Sequence, residues 1–252
     1  MRALITGASS GLGRDMARLL AARGYELVLA ARREDRLREL AAELPTMCRV
    51  IAADVSDETE CRLLYEAAAG DDLEVVVNNA GFGLFGPFTA TDLDEELRMI
   101  DVNIRAVHIL TKLAARDFAA RNRGYILNVS SSAGFLPGPL MATYYASKNY
   151  VLRLTQALRE ELRQQKSAVR VCALCPGPVN TEFNRVAGVQ FALGGLSSER
   201  VAREAIDGLF AGKGVIVPGA AMKAMTFARH FAPDELLARI TYHFQGKKAG
   251  GK

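Results

Sequence analysis

Seven short apolar runs, several of them rich in β-branched residues, punctuate the chain at residues 3–6, 26–30, 49–53, 73–78, 125–130, 169–175 and 214–217. Each is bounded by turn-forming or charged residues, which predicts buried strands. The segments between them follow a helical period, notably 14–23, 91–122 and 145–165. In the last of these, Val151, Leu154, Leu158 and Leu162 recur on one face. Arg159, Glu160, Glu161 and Arg163 are left for solvent or a partner subunit. Strands alternating with helices predict a parallel sheet covered on both sides, the doubly wound α/β arrangement. No linker interrupts the pattern, so one domain is expected over residues 1–246. Its last part, 218–246, forms a helical extension, and 247–252 forms a frayed basic tail.

Composition narrows the function classes. Half of the residues are hydrophobic, enough for a full core, and 32 basic against 28 acidic residues leave a net charge of only +4. That small excess gives no support to nucleic-acid binding. Apolar runs stay short of the roughly 18 residues that a membrane span requires. The opening Met1-Arg-Ala-Leu-Ile-Thr-Gly7 lacks the pattern of a secretion signal, so the cytoplasm is the expected location. Cys172 and Cys175 form a Cys-x-x-Cys on a predicted strand, where positions three apart face opposite sides, so they are expected as buried thiols. His108, His230 and His243 are scattered, and no metal site is readable.

The first predicted strand runs straight into Thr6-Gly-Ala-Ser-Ser-Gly-Leu-Gly13 and then a helix. Gly7, Gly11 and Gly13 let the backbone approach a phosphate, Leu12 lies within the same turn, and the helix start offers unpaired N–H groups. Ser9 and Ser10 could add hydroxyl contacts. After the second strand, where an acidic residue would bind free ribose hydroxyls, the chain reads Leu29-Ala-Ala-Arg-Arg-Glu34. Ala31 takes the place of the acid, and the guanidinium of Arg32 suits a 2′-phosphate. NADP(H) is therefore expected in preference to NAD(H). The competing reading places Arg32 and Arg33 in a solvated charge cluster with Glu34, Asp35 and Arg36.

Tyr144 and Lys148 stand four apart in Thr143-Tyr-Tyr-Ala-Ser-Lys148, which on a helix places them on one face. A neighbouring ammonium favours the phenolate and would fit a tyrosine for proton transfer near neutrality. Ser130, Ser131 and Ser132 precede the pair.

Taken together, these motifs resemble the short-chain dehydrogenases/reductases over residues 2–183. The match rests on the glycine turn, Asn78-Asn-Ala-Gly81, Tyr144 with Lys148, and Pro176-Gly-Pro-Val-Asn-Thr181. The resemblance implies a single-domain, Rossmann-type oxidoreductase with Asn103, Ser131, Tyr144 and Lys148 as its catalytic residues. Ser131 is chosen by the family's spacing to the tyrosine and to Gly134. The resemblance also implies that Asp54 and Val55 contact the adenine side, and Asn78, Ala80 and Gly81 the adenosine ribose. Tyr144 and Lys148 are shared with the cofactor, and Pro176, Gly177, Val179 and Thr181 fall on the nicotinamide side. The reaction it implies is hydride transfer between a carbonyl and its alcohol, with Tyr144 as general acid/base, Ser131 orienting the oxygen, Lys148 lowering the Tyr144 pKa and Asn103 positioning a water. A homodimer or homotetramer through the helices starting near Thr91 and Tyr145 is implied as well.

Phe82, Leu84, Phe85, Phe135, Leu136 and the stretch from Phe183 to Leu196 are expected to border the substrate, giving an apolar pocket for a hydrophobic, acyl- or steroid-like ketone or aldehyde. Tyr145 is expected as pocket wall or core. Two amphipathic helices near the end fit a pocket rim or subunit contact better than attachment to a membrane surface. A nucleotide-binding regulator or scaffold without turnover is the alternative function, and the intact catalytic set argues against it.

Overall fold

The computed structural model describes residues 1–183 and 195–249. Seven parallel strands form one sheet: β1 (Arg2–Thr6), β2 (Glu26–Ala31), β3 (Cys48–Ala52), β4 (Leu73–Asn78), β5 (Tyr125–Val129), β6 (Arg170–Leu174) and β7 (Val215–Ile216). Their order is β3-β2-β1-β4-β5-β6-β7. The chain steps outward from β1 to β3 and then returns to pair β4 against the other edge of β1. That reversal opens a crevice beyond the carboxyl ends of the strands, where ligands of such sheets bind.

Strand side chains alternate between two cores, as the pleat requires. Ala3, Ile5, Leu27, Leu29, Val75 and Val77 pack on one face, with Met16 and Leu20 of helix α1 (Gly11–Ala21). Val201 and Ile206 of α7 (Ser198–Phe210) complete that layer. Leu4, Val28, Val76 and Ile126 point the other way, toward Leu64 of α3 (Glu58–Ala68) and Leu110 and Phe118 of α5 (Val107–Arg121). Cys172 belongs to the first core and Cys175 to a separate cluster with Leu152 and Ala173, so the two thiols are buried and apart.

The helix expected over 91–122 is continuous but composite. It consists of α4 (Leu93–Ile100), a π-helical segment (Asp101–Ala106) and α5. Asp92 caps it by accepting the Glu95 N–H at 3.0 Å. Helix α6 (Ala142–Gln164) starts three residues before its expected beginning, which brings Tyr144 inside the helix. Helix α2 (Glu34–Glu43) follows β2, and the chain ends in α8 (Ala220–Ala228) and α9 (Asp234–Ala249). Among the described residues no helix is long and apolar enough to cross a membrane.

Candidate active site

A cavity of about 1150 Å³ lies over the carboxyl ends of the strands, lined at one end by Arg32 and Asp54 and at the other by Tyr144 and Phe244. Its floor is the glycine turn. Gly7 adopts φ +65°, a conformation that favours glycine. A Cβ on Gly13 would collide with the Gly7 carbonyl and the Asn79 amide, so the turn closes tightly only with glycine there. Ser10 precedes α1 without a side-chain cap, and the first turn of α1 has no acidic residue. By contrast, α3 and α4 begin with carboxylate caps from Asp57 and Asp92. The N–H groups of α1 are thus left to whatever occupies the cavity, and Gly11 and Leu12 line it.

Thr6 joins the two halves of the crevice. Its Oγ1 accepts the backbone N–H groups of Asn79 and Ala80 at 3.0 and 3.1 Å. Asn79 in turn donates Nδ2 to the carbonyls of Thr6 and Gly7. Asn78 behaves differently from its expected role, because its side chain lies in the interior and not on the cavity wall. It donates to Thr111 Oγ1 at 3.0 Å and Asn128 Oδ1 at 2.8 Å. Asn128 continues to Thr155, so a buried polar thread ties β4, α5, β5 and α6 together. As the last residue of β4, Asn78 keeps the inward direction of Val76, and Asn79 takes the cavity side.

At the end of the cavity beside Arg32, Asp54 and Val55 form its lining. Burial pushes the Asp54 carboxyl up, but hydrogen bonds from Ser56 and the charges of Arg32 and Arg98 outweigh it and hold the pKa low. Arg32 is exposed at the rim. Arg33, absent from the expected set, reaches further in, with its Nη2 3.2 and 3.1 Å from the Ser9 and Ser10 hydroxyls. It also pairs with Glu182 at 2.9 Å, and Glu182 pairs with Arg36 at 2.7 Å.

At the other end Tyr144 and Ser131 both line the cavity. Burial raises the Tyr144 pKa, and a hydrogen bond from Ser131 acts in the opposite direction. Lys148 is 4% exposed, and burial lowers its pKa to about 8. Its Nζ donates to the Val129 carbonyl at 3.0 Å and lies 5.8 Å from the Tyr144 ring centroid. The expected lowering of the tyrosine by the lysine is therefore not what dominates here; desolvation wins, because both groups are withdrawn from water. Ser130 donates to the Lys148 carbonyl at 2.7 Å, which removes it as a rival to Ser131.

Asn103 sits in the π-helical segment and is fully buried. Its amide exchanges two hydrogen bonds with the Phe82 backbone and donates to Ser147 Oγ at 3.1 Å. Asn103 Oδ1 and Lys148 Nζ both crowd Gly81, where a Cβ would come within 2.9 and 3.1 Å of them. Pro176, Gly177, Val179 and Thr181 border the same end, and Gly177 leaves room for Met222.

Residues 1–190 match the family model described as short chain dehydrogenase. The chain belongs to the short-chain dehydrogenases. An uncharacterized oxidoreductase of Staphylococcus epidermidis is 34% identical over 181 residues, covering 71% of this chain and 78% of the relative. A short-chain dehydrogenase from Sphingobium yanoikuyae, solved in complex with NADPH, superposes with a TM-score of 0.82 at 30% identity, over 91% of this chain and 94% of that one. A 7beta-hydroxysteroid dehydrogenase structure gives 0.84 at 26% identity, over 95% and 96%.

In this short-chain dehydrogenase the apolar end of the cavity departs in part from the expected wall. Phe82, Leu136 and Phe183 line the cavity. Leu84 and Phe85 pack behind it against Met99 and Met141, and Phe135 joins the cluster around Leu152 and Cys175. The expected stretch from 184 to 194 lies outside the described residues. Further wall comes from the C-terminal helices, in the pocket-rim place that was one of the two expected for them, through Met222, Met225, Leu237, Ile240, Thr241 and Gln245. The spacing of Leu237, Thr241 and Gln245 carries that signal, since positions four apart share a helical face. Tyr145 also lines the cavity, its ring 6.1 Å from that of Tyr144 and its hydroxyl bonded by Gln245.

Proposed function

We propose that this short-chain dehydrogenase interconverts a hydrophobic ketone or aldehyde and its alcohol with NADP(H). The observation that carries the reading is one uninterrupted cavity joining the uncapped start of α1 to the Tyr144 and Ser131 hydroxyls. The residues fit a dinucleotide. Gly7, Gly11, Leu12 and Gly13, with Ser9 and Ser10, would take the pyrophosphate, and Arg32 with Arg33 a 2′-phosphate. Asp54 and Val55 would hold the adenine, Ala80 and Gly81 the ribose beside it, and Pro176, Gly177, Val179 and Thr181 the nicotinamide. When bound, the nicotinamide supplies the hydride chemistry.

The chain handles the proton and the placement. Tyr144, kept protonated by burial, gives its phenolic proton to the carbonyl oxygen, and Ser131 donates a hydrogen bond to the same oxygen. Lys148 stands behind the pair as the cationic partner and cofactor-ribose contact. Asn103 fixes the helical turn beside Lys148 through its bonds to Phe82 and Ser147. The apolar walls, with Phe82, Leu136, Phe183 and Met225, favour an acyl- or steroid-like compound. Self-association through α4 and α6, where Leu93, Leu97 and Tyr150 are exposed, completes the reading.

The test is consumption of NADPH across acyl, steroid and aromatic carbonyls, with the alcohols tried under NADP. Tyr144→Phe should bind NADPH normally and lose on the order of a hundredfold or more in turnover. Near-normal turnover by that variant would reject Tyr144 as the acid.

A further inference from the structure

Charge and exposed apolar surface gather at one end of this protein. From Gly219 onward the sequence has six basic and two acidic residues, an excess equal to the +4 of the entire chain, so the rest is balanced. Of the fourteen large hydrophobic side chains exposed among the described residues, seven fall between Met225 and Phe244. Phe231 is 78% and Phe244 62% exposed. Helix α8 reads Ala-Ala-Met-Lys-Ala-Met-Thr-Phe-Ala, with a single charge, and none of its residues is buried.

On α9, Leu236, Ile240 and Phe244 are four apart and make one exposed stripe. Ile240 and Phe244 also line the cavity, so the stripe is its lip. An apolar patch at the mouth of a cavity marks a surface that something covers. A second copy on a twofold axis would set this patch against itself and bring its basic excess face to face with the same excess. An anionic bilayer satisfies both halves of the pattern, taking the apolar side chains and attracting the exposed Lys223 and Arg239.

We propose that α8 and α9 dock on an anionic phospholipid surface, holding the lip of the cavity against the bilayer so that an apolar carbonyl compound enters from the lipid. The docking stands on the exposed patch and its charge; the entry of substrate rests on the function proposed above.

The full-length protein, without substrate, is sedimented with vesicles of phosphatidylcholine alone or with about one third phosphatidylglycerol. Binding is expected only to the anionic vesicles and should be lost at high salt. Two double variants, Phe231→Ser with Leu236→Ser and Lys223→Glu with Arg239→Glu, should each lower binding about tenfold, one by apolar loss and one by charge. Both should keep the wild-type Tm, because their side chains are exposed. Absence of binding, equal binding to both vesicle types, or unchanged binding by the variants would overturn the proposal. So would a fall in oligomer mass on light scattering for the Phe231 and Leu236 variant, which would assign the face to a second copy. Turnover of a water-soluble ketone without vesicles reports separately on the reductase reading.

Discussion

Gln245, near the end of α9, donates a hydrogen bond of 2.7 Å to the hydroxyl of Tyr145, the residue beside the proposed acid. Gln245 is almost fully buried, so the contact pins the C-terminal helix over the cavity. A hydrogen bond of this kind is worth about 1 kcal/mol net, or about fivefold in an equilibrium. Gln245→Leu should raise KM for bulky ketones by about that factor and leave kcat nearly unchanged. Steady-state kinetics over ketones of graded size would show it, and a KM indifferent to size would count against the pin.

Glu182 holds Arg33 and Arg36 together at the rim of the cavity near Ser9 and Ser10, and those hydrogen bonds keep its pKa down at about 2. Its charge opposes any phosphate that Arg33 would bind. Glu182→Gln should tighten NADPH several-fold and leave NADH unchanged, and Arg33→Ala should weaken NADPH alone. Titration by cofactor fluorescence at low and high salt reads both, with the differences shrinking as salt rises. Equal effects on NADPH and NADH would remove Arg33 from the 2′-phosphate site.

Lys148 links stability to pH. Its amine titrates at 10.5 when unperturbed and at about 8 in the fold, where burial disfavours the charge. Below about 8 it is charged in both states and the burial penalty is in full force. From about 8 up to 10.5 the folded protein sheds a proton that the unfolded chain keeps, so stability rises with pH. Relative to Lys148→Met, the wild type should gain up to about 3 kcal/mol across that window. Urea unfolding of both proteins at several pH values measures it, and a pH-independent difference would refute the shift.

Gly13→Ala should remove cofactor binding, since the new methyl group would strike the Gly7 carbonyl. Overpacking of this kind costs about 1–3 kcal/mol. Calorimetry with NADPH and a thermal melt separate loss of the site from loss of the fold.

The strands and the glycine turn were legible because period and punctuation are local. All seven runs are strands, with no end moved by more than one residue. Asn78 and Asn79 were not separated in the same way, although β4 ends at Asn78 as expected, because the direction of each follows from which side of the sheet Val76 and Val77 take. Arg33 was hidden in a charge cluster whose partner, Glu182, lies far away in sequence. The C-terminal wall was legible as two helices, but its place over Tyr145 follows from tertiary packing. Leu84, Phe85 and Phe135 show the converse, since hydrophobicity alone does not tell a lining residue from one behind it.

The π-helical segment from Asp101 to Ala106 acts as a one-residue insertion carried inside an otherwise regular helix. Winding the same residues as a regular α-helix would rotate everything on one side of the segment by about a quarter turn. Either Asn103 would leave Phe82 or the whole of α5 would turn its core face away. The winding of this segment is therefore as tightly specified as its sequence, since a regular α-helix through the same residues could not keep Asn103 on Phe82 and the core face of α5 in place together.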